Sequence, residues 1–259
     1  MSAQGRLWVV LPAYNEGAQL VGLVREVAES GPDRHVLVVD DGSDDGCGDE
    51  VARAGLERVR VLRHQVNRGL GAGLLTGLEA VMKESGSEDL VAVLDADGTH
   101  PISLLDSMVE TLRRYEVDVV ISSRYRPGSE VHGLTWPRIL LSVGSSWVFR
   151  LLVPIPGVRD YTCGYRLYRV AALRRARERF GQDLITDSGF TCMAEILVKL
   201  AISGARFAEV PLVLRYDRKF TQSKMKVART VLRTLRLLVK AAIWRWFPSQ
   251  RPGRLPQAR

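Results

Sequence analysis

Short apolar runs that alternate with helical patterns constrain the fold of this 259-residue chain more than any other feature of its sequence. Strands buried on both faces of a sheet consist of such runs, whereas amphipathic helices repeat their apolar residues every three to four positions. The apolar runs are residues 7–11, 36–39, 59–62, 90–94 and 117–122. The helical patterns between them are residues 18–29, 49–54, 71–83 and 101–115. The alternation predicts an α/β fold with a mostly parallel, Rossmann-like sheet flanked by helices.

Polar motifs follow three of these predicted strands. Residues 12–16 (Pro-Ala-Tyr-Asn-Glu) follow the first, residues 40–43 (Asp-Asp-Gly-Ser) the second, and residues 95–97 (Asp-Ala-Asp) the fourth. In open parallel sheets, ligands bind in the crevice outside the carboxyl ends of the strands. We therefore expect the three motifs to converge on one ligand-binding crevice.

Asp95 and Asp97 are the strongest candidates for a metal site. Side chains alternate along a strand, so two carboxylates separated by one residue point to the same side. Mg²⁺ and Mn²⁺ prefer oxygen ligands and commonly bridge carboxylates to substrate phosphates. A lone Asp-x-Asp is as often a solvated strand end, but the two neighbouring motifs favour the metal. Among the four histidines, His100 has the position closest to this pair.

Two further motifs of this region have less specific chemistry. The carboxylates of residues 40–43 accept hydrogen bonds from a nucleobase or ribose, or they cap a turn, and the two roles are compatible. The glycine-rich residues 67–73 lack both the GxxxxGK[ST] and the full GxGxxG pattern, so we do not predict a phosphate-binding loop. These glycines are better explained by close packing at the start of a helix, with Arg68 near the site.

Charge and cysteine content limit the classes of partner. A net charge of +8 indicates an acidic partner, which is a nucleotide, a nucleic acid or an anionic membrane surface. Basic and aromatic residues do not interleave on a predicted strand, so we do not expect a nucleic-acid-binding module. Cys47, Cys163 and Cys192 form no CxxC pair, and no signal peptide is recognisable, so we expect a reducing compartment without disulfides.

The pattern changes after Arg126. A helix is predicted around residues 188–202 and a short strand at 208–216. An apolar segment, 139–158, is interrupted by serines, prolines and Arg150, so it does not qualify as a membrane-spanning helix. Arg218 and Lys224 lie in a basic stretch that is either solvated or a loop that closes over the phosphates of a bound nucleotide.

The C-terminal part predicts an amphipathic helix. Val227, Val231, Leu235, Leu238, Ala242 and Trp246 share one face, and Lys226, Arg229, Arg233, Arg236 and Lys240 share the other. Such a helix lies at a membrane interface or packs on the core of its own domain, and the tryptophans and arginines clustered at its end favour the membrane. We therefore divide the chain into a catalytic domain (1–225), an interface helix (226–247) and a flexible tail (248–259).

Taken together, the motifs resemble those of the family-2 glycosyltransferases with the GT-A fold, and most closely the dolichol-phosphate mannose synthases and other polyprenyl-phosphate sugar synthases. The resemblance extends over residues 7–229. The motifs that support it are 12–16, 40–43, 67–69, 95–97, 123–125 (Ser-Arg-Tyr), 164–168 (Gly-Tyr-Arg-Leu-Tyr), 188–195 and 209–211, followed by Arg218 and Lys224.

The resemblance implies a role for each matching residue. The nucleoside would be held by Pro12, Tyr14, Glu16, Val39 and Asp41. Asp95, Ala96 and Asp97 would meet the pyrophosphate and a Mg²⁺ or Mn²⁺ ion, with Asp97 and Arg124 as the catalytic residues. Arg124, Arg218 and Lys224 would bind the donor phosphates or sugar. The phosphate of a lipid acceptor would be held by Arg138 and Ser142.

The resemblance also implies an inverting transfer of a sugar, mannose from GDP-mannose first of all, to a polyprenyl or dolichyl phosphate. The alternatives are a UDP-glucose-dependent enzyme, an enzyme with a soluble acceptor, and a nucleotide-sugar-binding protein without activity. Gly98 and Thr99 stand where some relatives carry a further metal ligand, so two protein ligands are expected. We expect the chain to associate peripherally with the cytoplasmic face of a membrane, with or without a membrane partner protein, or otherwise to be cytoplasmic.

Overall fold

The computed structural model describes residues 5–133, 136–218 and 227–246. Its strands are β1 (Leu7–Ala13), β2 (Arg34–Asp40), β3 (Val59–Arg63), β4 (Leu90–Val93), β5 (Val119–Ser123), β6 (Glu130–His132), β7 (Arg166–Arg169), β8 (Phe207–Pro211) and β9 (Val213–Arg215). Its helices are α1 (Gln19–Glu29), α2 (Cys47–Arg53), α3 (Leu70–Glu84), α4 (Leu104–Arg114), α5 (Trp136–Leu152), α6 (Val170–Phe180), α7 (Cys192–Ile202) and α8 (Val227–Trp246). Two 3₁₀ turns are Gly181–Leu184 and Tyr216–Arg218.

Seven strands form the main sheet in the order β3-β2-β1-β4-β7-β5-β8, and β6 pairs with β9 in a small parallel sheet. In the main sheet, β7 is antiparallel to both of its neighbours, and the other pairs are parallel. The chain moves outward from β1 to β3 and then returns to place β4 on the other side of β1. The predicted α/β fold with a mostly parallel sheet is therefore confirmed, as are the five strands and four helices of the first 125 residues.

The sequence pattern missed one interior strand of the sheet, β7. β7 has the sequence Arg-Leu-Tyr-Arg, which is neither an apolar run nor a polar alternation. It is nevertheless buried between β4 and β5, and the Arg166 side chain is fully buried. Its guanidinium donates hydrogen bonds to the carbonyl oxygens of Tyr161 (2.8 Å) and Met193 (2.5 Å). Such hydrogen bonds make a buried charge tolerable, and they are formed only in the tertiary structure.

The single strand predicted at residues 208–216 is wrong, because the chain forms two strands there in two different sheets. β8 ends at Pro211, which has no N–H to continue a ladder of hydrogen bonds. The next residue, Leu212, donates to the carbonyl oxygen of Ser123 (3.0 Å), and β9 then pairs with β6. The segment between Pro127 and Gly133 contains β6, a strand that the sequence did not predict because it has no apolar run.

α5 and α8 pack against each other and divide their apolar residues between the core and the surface. Phe149, Leu237, Leu238 and Ala241 are buried. The exposed apolar residues are Trp147, Val148, Leu151 and Leu152 on α5, and Leu232, Leu235 and Val239 on α8. The predicted apolar face of α8 is therefore only partly buried: Leu238 packs inward, whereas Leu235 is exposed. Among the helices that the structure describes, none is long and apolar enough to cross a bilayer.

α3 lies close to β1 because two of its positions lack a side chain. A β-carbon on Gly77 would clash with Cγ1 of Val10 and would lie 3.2 Å from Cγ2 of Val39. A β-carbon on Gly71 would clash with the carbonyl oxygen of Asp187. The helix can therefore approach both the sheet and the 187–188 segment only if these positions are glycine.

We predict opposite effects for two glycine-to-alanine substitutions in helices. Gly77→Ala is expected to destabilise the protein by about 1–3 kcal/mol, because the new methyl group overpacks the contact with β1. Gly22→Ala on α1 is the matched control, since a β-carbon there meets nothing within 4 Å. It is expected to stabilise the protein by about 0.5–1 kcal/mol through helix propensity. Denaturant unfolding followed by circular dichroism measures both, and a Gly77→Ala variant as stable as Gly22→Ala would contradict the packing argument.

Candidate active site

The loops that follow β1, β2 and β4 meet at the carboxyl edge of the sheet, where β1 lies between the other two strands. Asn15, with a φ of +50°, receives and donates hydrogen bonds across this edge. Its N–H donates to Oγ of Ser43 (3.0 Å), and its Oδ1 accepts from the N–H of Asp44 (3.0 Å). The first two motifs are therefore held together directly, as the sequence predicted.

Asp41 joins the loop after β2 to the loop after β3. Its buried carboxylate accepts hydrogen bonds from the N–H groups of Arg68 (3.0 Å) and Gly69 (2.7 Å) and from Nδ1 of His64 (2.6 Å). The neighbouring Gly42 has a φ of +75°, and a β-carbon there would lie 2.5 Å from the carbonyl carbon of Val66. The carboxylate thus fixes the glycine-rich segment at the edge of the crevice. β-Carbons on Gly69 and Gly71 would clash with the carbonyl oxygens of Ser188 and Asp187, so these two glycines allow close packing at the start of α3.

The Asp-x-Asp motif lies in the loop immediately after β4. Oδ1 of the buried Asp97 accepts hydrogen bonds from N–H (3.1 Å) and Oγ1 (2.7 Å) of Thr99. The N–H of Asp95 donates to Nδ1 of His100 (3.2 Å), whose ring packs on Tyr165 at 5.1 Å. His100 therefore contacts the motif through the backbone of Asp95. These contacts fix the loop that carries the two carboxylates.

A hard divalent cation fits the chemistry of this loop. A β-carbon on Gly164 would lie 3.1 Å from Oδ1 of Asp95, so the glycine keeps the volume beside that carboxylate clear. Within the described ranges, no cluster of three or more His, Cys, Asp or Glu side chains is placed to hold a metal ion. Two carboxylates with phosphate and water oxygens as the other ligands are a common arrangement for Mg²⁺.

Arg124 forms a buried ion pair rather than a free cationic group. Its Nη2 and Nε donate to the two carboxylate oxygens of Asp160 (2.7 and 2.8 Å), and its Nη2 also donates to Oγ1 of Thr162 (2.6 Å). Burial raises the pKa of Asp160, but the Arg124 guanidinium and backbone N–H groups more than offset this and hold that pKa below its usual value. The Arg124 side chain is 15% exposed, so its charge remains accessible at one edge.

Ser142 is connected to the same region through Tyr125. The Tyr125 hydroxyl lies 2.8 Å from Oγ of Ser142 on α5, and Cζ of Arg124 lies 5.5 Å from the centroid of the Tyr125 ring. Tyr125 thus links one of the two predicted acceptor residues to Arg124. The side chains of Arg138 and Arg218, and all of Lys224, lie outside the residues whose placement is described.

The remaining predicted nucleoside residues lie around the first two loops. Tyr14 and Glu16 are half-buried in the loop after β1, and Pro12 lies near Gly73 at the start of α3. The Val39 side chain is fully buried against α3, so this residue faces the core rather than the crevice. Ala96 is buried between the two aspartates of its motif.

Sequence reasoning assigned no role to two carboxylates that hold the site together. Asp160 orients Arg124, and Glu195 accepts from the N–H groups of Thr186 and Asp187 (2.9 Å each) and pairs with Lys199 (2.5 Å). Residues 187 and 188, next to the backbone that Glu195 holds, contact Gly71 at the start of α3. The i, i+4 spacing of Glu195 and Lys199 is typical of a solvated helical pair, and it gave no sign of burial.

We predict that Asp160→Asn destabilises the protein by about 3–5 kcal/mol, because it leaves the Arg124 charge without its partner in a buried site. The pKa of Asp160 is lower in the folded state than in the unfolded chain. The stability that ionised Asp160 contributes is therefore present above about pH 4 and is lost as the pH falls through the folded-state pKa of Asp160. Thermal unfolding at a series of pH values measures this, and the difference from wild type should narrow below about pH 4.

An exposed carboxylate provides the control for this substitution. Glu29 pairs with Arg25 at 3.9 Å, and both side chains are more than half exposed. Glu29→Gln is expected to change stability by less than about 1 kcal/mol. Equal losses in the two variants, or a difference independent of pH, would contradict the buried-pair argument.

The comparisons with known proteins agree with this geometry. Residues 8–177 match the model of glycosyl transferase family 2. The chain is 33% identical over 223 residues to a polyprenol monophosphomannose synthase of Mycolicibacterium smegmatis, covering 85% of this chain and 81% of that protein. It is 31% identical over 224 residues to an undecaprenyl-phosphate mannosyltransferase of Micrococcus luteus, covering 85% and 87%.

Solved structures show the same fold. The glucosyl-3-phosphoglycerate synthase of Mycobacterium tuberculosis, in complex with Mn²⁺, UDP and phosphoglyceric acid, superimposes with a TM-score of 0.68 at 18% identity. The alignment covers 93% of this chain and 79% of that one. With the family model matching most of the chain and the motifs assembled at one edge of a GT-A-like sheet, the protein belongs to glycosyl transferase family 2 and is a glycosyltransferase.

Proposed function

We propose that this glycosyltransferase moves a mannosyl group from GDP-mannose to a polyprenyl phosphate at the surface of a membrane. The observation that carries the proposal is the convergence of Asp41, the Asp95–Asp97 pair and Arg124 at the carboxyl edge of one sheet. The activities named for the two relatives, a polyprenol monophosphomannose synthase and an undecaprenyl-phosphate mannosyltransferase, supply the sugar and the acceptor.

The site residues divide between the two ends of the donor. Pro12, Tyr14, Glu16, Val39 and Asp41 are proposed to surround the nucleoside; the pyrophosphate is proposed to meet Asp95, Ala96, Asp97, Arg124, Arg218 and Lys224. Val39 would contribute through its backbone, since its side chain is in the core. Asp95 and Asp97 would hold Mg²⁺ or Mn²⁺, which supplies positive charge to stabilise the departing diphosphate.

The acceptor needs little chemical activation. A lipid phosphate is anionic at neutral pH, so one of its oxygens can attack the anomeric carbon without a general base. The bond from that carbon to the diphosphate oxygen breaks as the new bond forms, which inverts the configuration. The task of the protein is to hold two anions in line, and Ser142, Tyr125 and Arg138 are proposed to position the acceptor phosphate beside Arg124.

The exposed apolar residues of α5 and α8 support action at a membrane surface. Ser142 lies on α5, so a lipid whose phosphate reaches Ser142 would extend along the same helix. Trp147 and Leu151 on α5 are 62% and 80% exposed, and Leu235 on α8 is 53% exposed. Exposed Arg236 and Lys240 on α8 add positive charge that anionic lipids would attract.

We predict that Asp97→Ala lowers turnover by at least about a thousandfold while the protein remains folded, because charge on the leaving diphosphate is then poorly stabilised. The assay combines enzyme, Mn²⁺ or Mg²⁺, a polyprenyl phosphate, and GDP-mannose or UDP-glucose, with mass spectrometry of the lipid products. Asp33→Ala is the control, since Asp33 is exposed at the opposite end of the strands. Activity retained in Asp97→Ala would contradict the metal assignment.

The same assay separates the competing functions. A hexosyl lipid formed from UDP-glucose alone would show that the donor assignment is wrong. If the enzyme used a soluble phosphorylated acceptor in preference to the lipid, the acceptor assignment would be wrong. The absence of turnover with any donor, despite nucleotide binding, would identify a binding protein rather than an enzyme.

We predict that Leu151→Asp and Leu235→Asp each weaken binding to vesicles of phosphatidylcholine and phosphatidylglycerol by about tenfold or more. Each substitution removes an apolar side chain whose burial in the bilayer contributes about 1.5–3 kcal/mol to the free energy of binding, and it adds a negative charge. Tyr115→Asp is the control, because Tyr115 is 60% exposed at the end of α4. Sedimentation with vesicles measures the binding, and an equal loss in all three variants would contradict the assignment of α5 and α8.

A further inference from the structure

His64 is a buried histidine beside the proposed nucleoside site, and the reaction outlined above does not use it. It directly follows β3, and its backbone N–H donates to the carbonyl oxygen of Asp40 (2.9 Å). Its ring is held at both nitrogens: Nδ1 lies 2.6 Å from Oδ1 of Asp41, and Nε2 lies 2.9 Å from Oγ1 of Thr76 on α3. The side chain is 7% exposed.

The chemistry of the partners decides which nitrogen carries the proton. An ionised carboxylate only accepts hydrogen bonds, so Nδ1 must donate to Asp41. In the neutral ring, Nε2 then accepts from the Thr76 hydroxyl, and the two bonds fix the tautomer and the plane of the ring. The ring in turn presents one N–H to the carboxylate from a fixed direction.

This contact limits how Asp41 can meet a ligand. Oδ1 accepts two hydrogen bonds, from His64 and from the N–H of Arg68, so both of its lone pairs are used. Oδ2 accepts from the N–H of Gly69, and within the described residues this is its one hydrogen bond. Oδ2 is therefore the Asp41 oxygen that can still accept a hydrogen bond from a ligand. His64 helps to set the rotation of the carboxylate, and this rotation decides where Oδ2 points.

We infer that His64 is a positioning residue for the nucleoside of the donor. It holds the Asp41 carboxylate in the rotation that leaves Oδ2 available to an N–H or O–H of a nucleobase or ribose. The inference rests on the proposed function, because it requires a nucleotide at Asp41. A purely structural role would instead consist of joining β3 to α3 through Thr76.

Two isosteric substitutions separate these roles. The side-chain amide of asparagine places its N–H₂ group near the position of Nδ1, and that of glutamine places its N–H₂ group near Nε2. His64→Asn therefore keeps a donor for Asp41 and loses the contact with Thr76. His64→Gln does the reverse. Thr76→Val removes only the hydrogen bond between Thr76 and Nε2. His35→Gln is the control for a histidine-to-glutamine change away from Asp41, at a half-buried histidine in β2 whose ring packs against Trp8 at 4.9 Å.

The measurements are the Kd of GDP with Mn²⁺ by calorimetry, the KM of donor and acceptor, and the thermal midpoint. His64→Gln is expected to raise the Kd of GDP and the donor KM by about tenfold, with the acceptor KM within about twofold, since a hydrogen bond to a charged group is lost. His64→Asn is expected to recover the Kd to within about threefold of wild type. Thr76→Val and His35→Gln are expected to bind GDP as tightly as wild type does.

Three outcomes overturn the inference. In the first, His64→Gln binds GDP as tightly as wild type does, which separates the ring from nucleoside binding. In the second, His64→Asn and Thr76→Val weaken GDP binding as much as His64→Gln and also lower the thermal midpoint, which indicates a structural link to α3. If wild-type protein binds neither GDP nor UDP, the proposed function itself is wrong and the inference falls with it.

Discussion

The position of β1 between β2 and β4 is the constraint on which the rest of the structure depends. The chain leaves β1 in one direction through β2 and β3 and then returns to the other side with β4. Loops that follow neighbouring parallel strands on either side of such a reversal open a crevice at the carboxyl edge. The three polar motifs lie far apart in the sequence, and this one feature of the topology brings them together.

Buried carboxylates hold the loops of the crevice in place. Asp41, Asp97, Asp160 and Glu195 each accept backbone N–H groups from a loop, so each satisfies polar groups that burial would otherwise leave unpaired. Glu209 does the same for the N–H groups of residues 159 and 160 (2.6 and 2.7 Å), and burial raises the pKa of its carboxyl group. These hydrogen bonds therefore fix the backbone of the loops at the carboxyl edge of the sheet.

The crevice and the surface helices form a continuous structure. Asp187 is fixed by Glu195 on one side, and its carboxylate lies 3.5 Å from Nη1 of Arg233 on α8. On the other side, the N–H of Gly71 donates to the carbonyl oxygen of Ser188 (3.3 Å) at the start of α3. Residues 187–188 thus contact both α8 and the start of α3, next to the glycine-rich segment that Asp41 holds. The interface helix proposed from the sequence is packed on the catalytic domain.

Local patterns in the sequence were enough to predict the first five strands, the four helices between them and the edge at which the motifs meet, because side-chain periodicity and strand direction are local properties. They were not enough for β7, for the division between β8 and β9, or for the partners of Arg124, His64 and Glu195. The division between β8 and β9 depends on which distant strand each one pairs with. At β7 and at the three named side chains, a charged or polar group is buried, and its burial is tolerated because of hydrogen-bond partners that only folding brings close. Sequence alone therefore indicated which residues are candidates to carry the chemistry, and the tertiary structure decided how those residues are held, because only folding brings a buried charge to the groups that neutralise it.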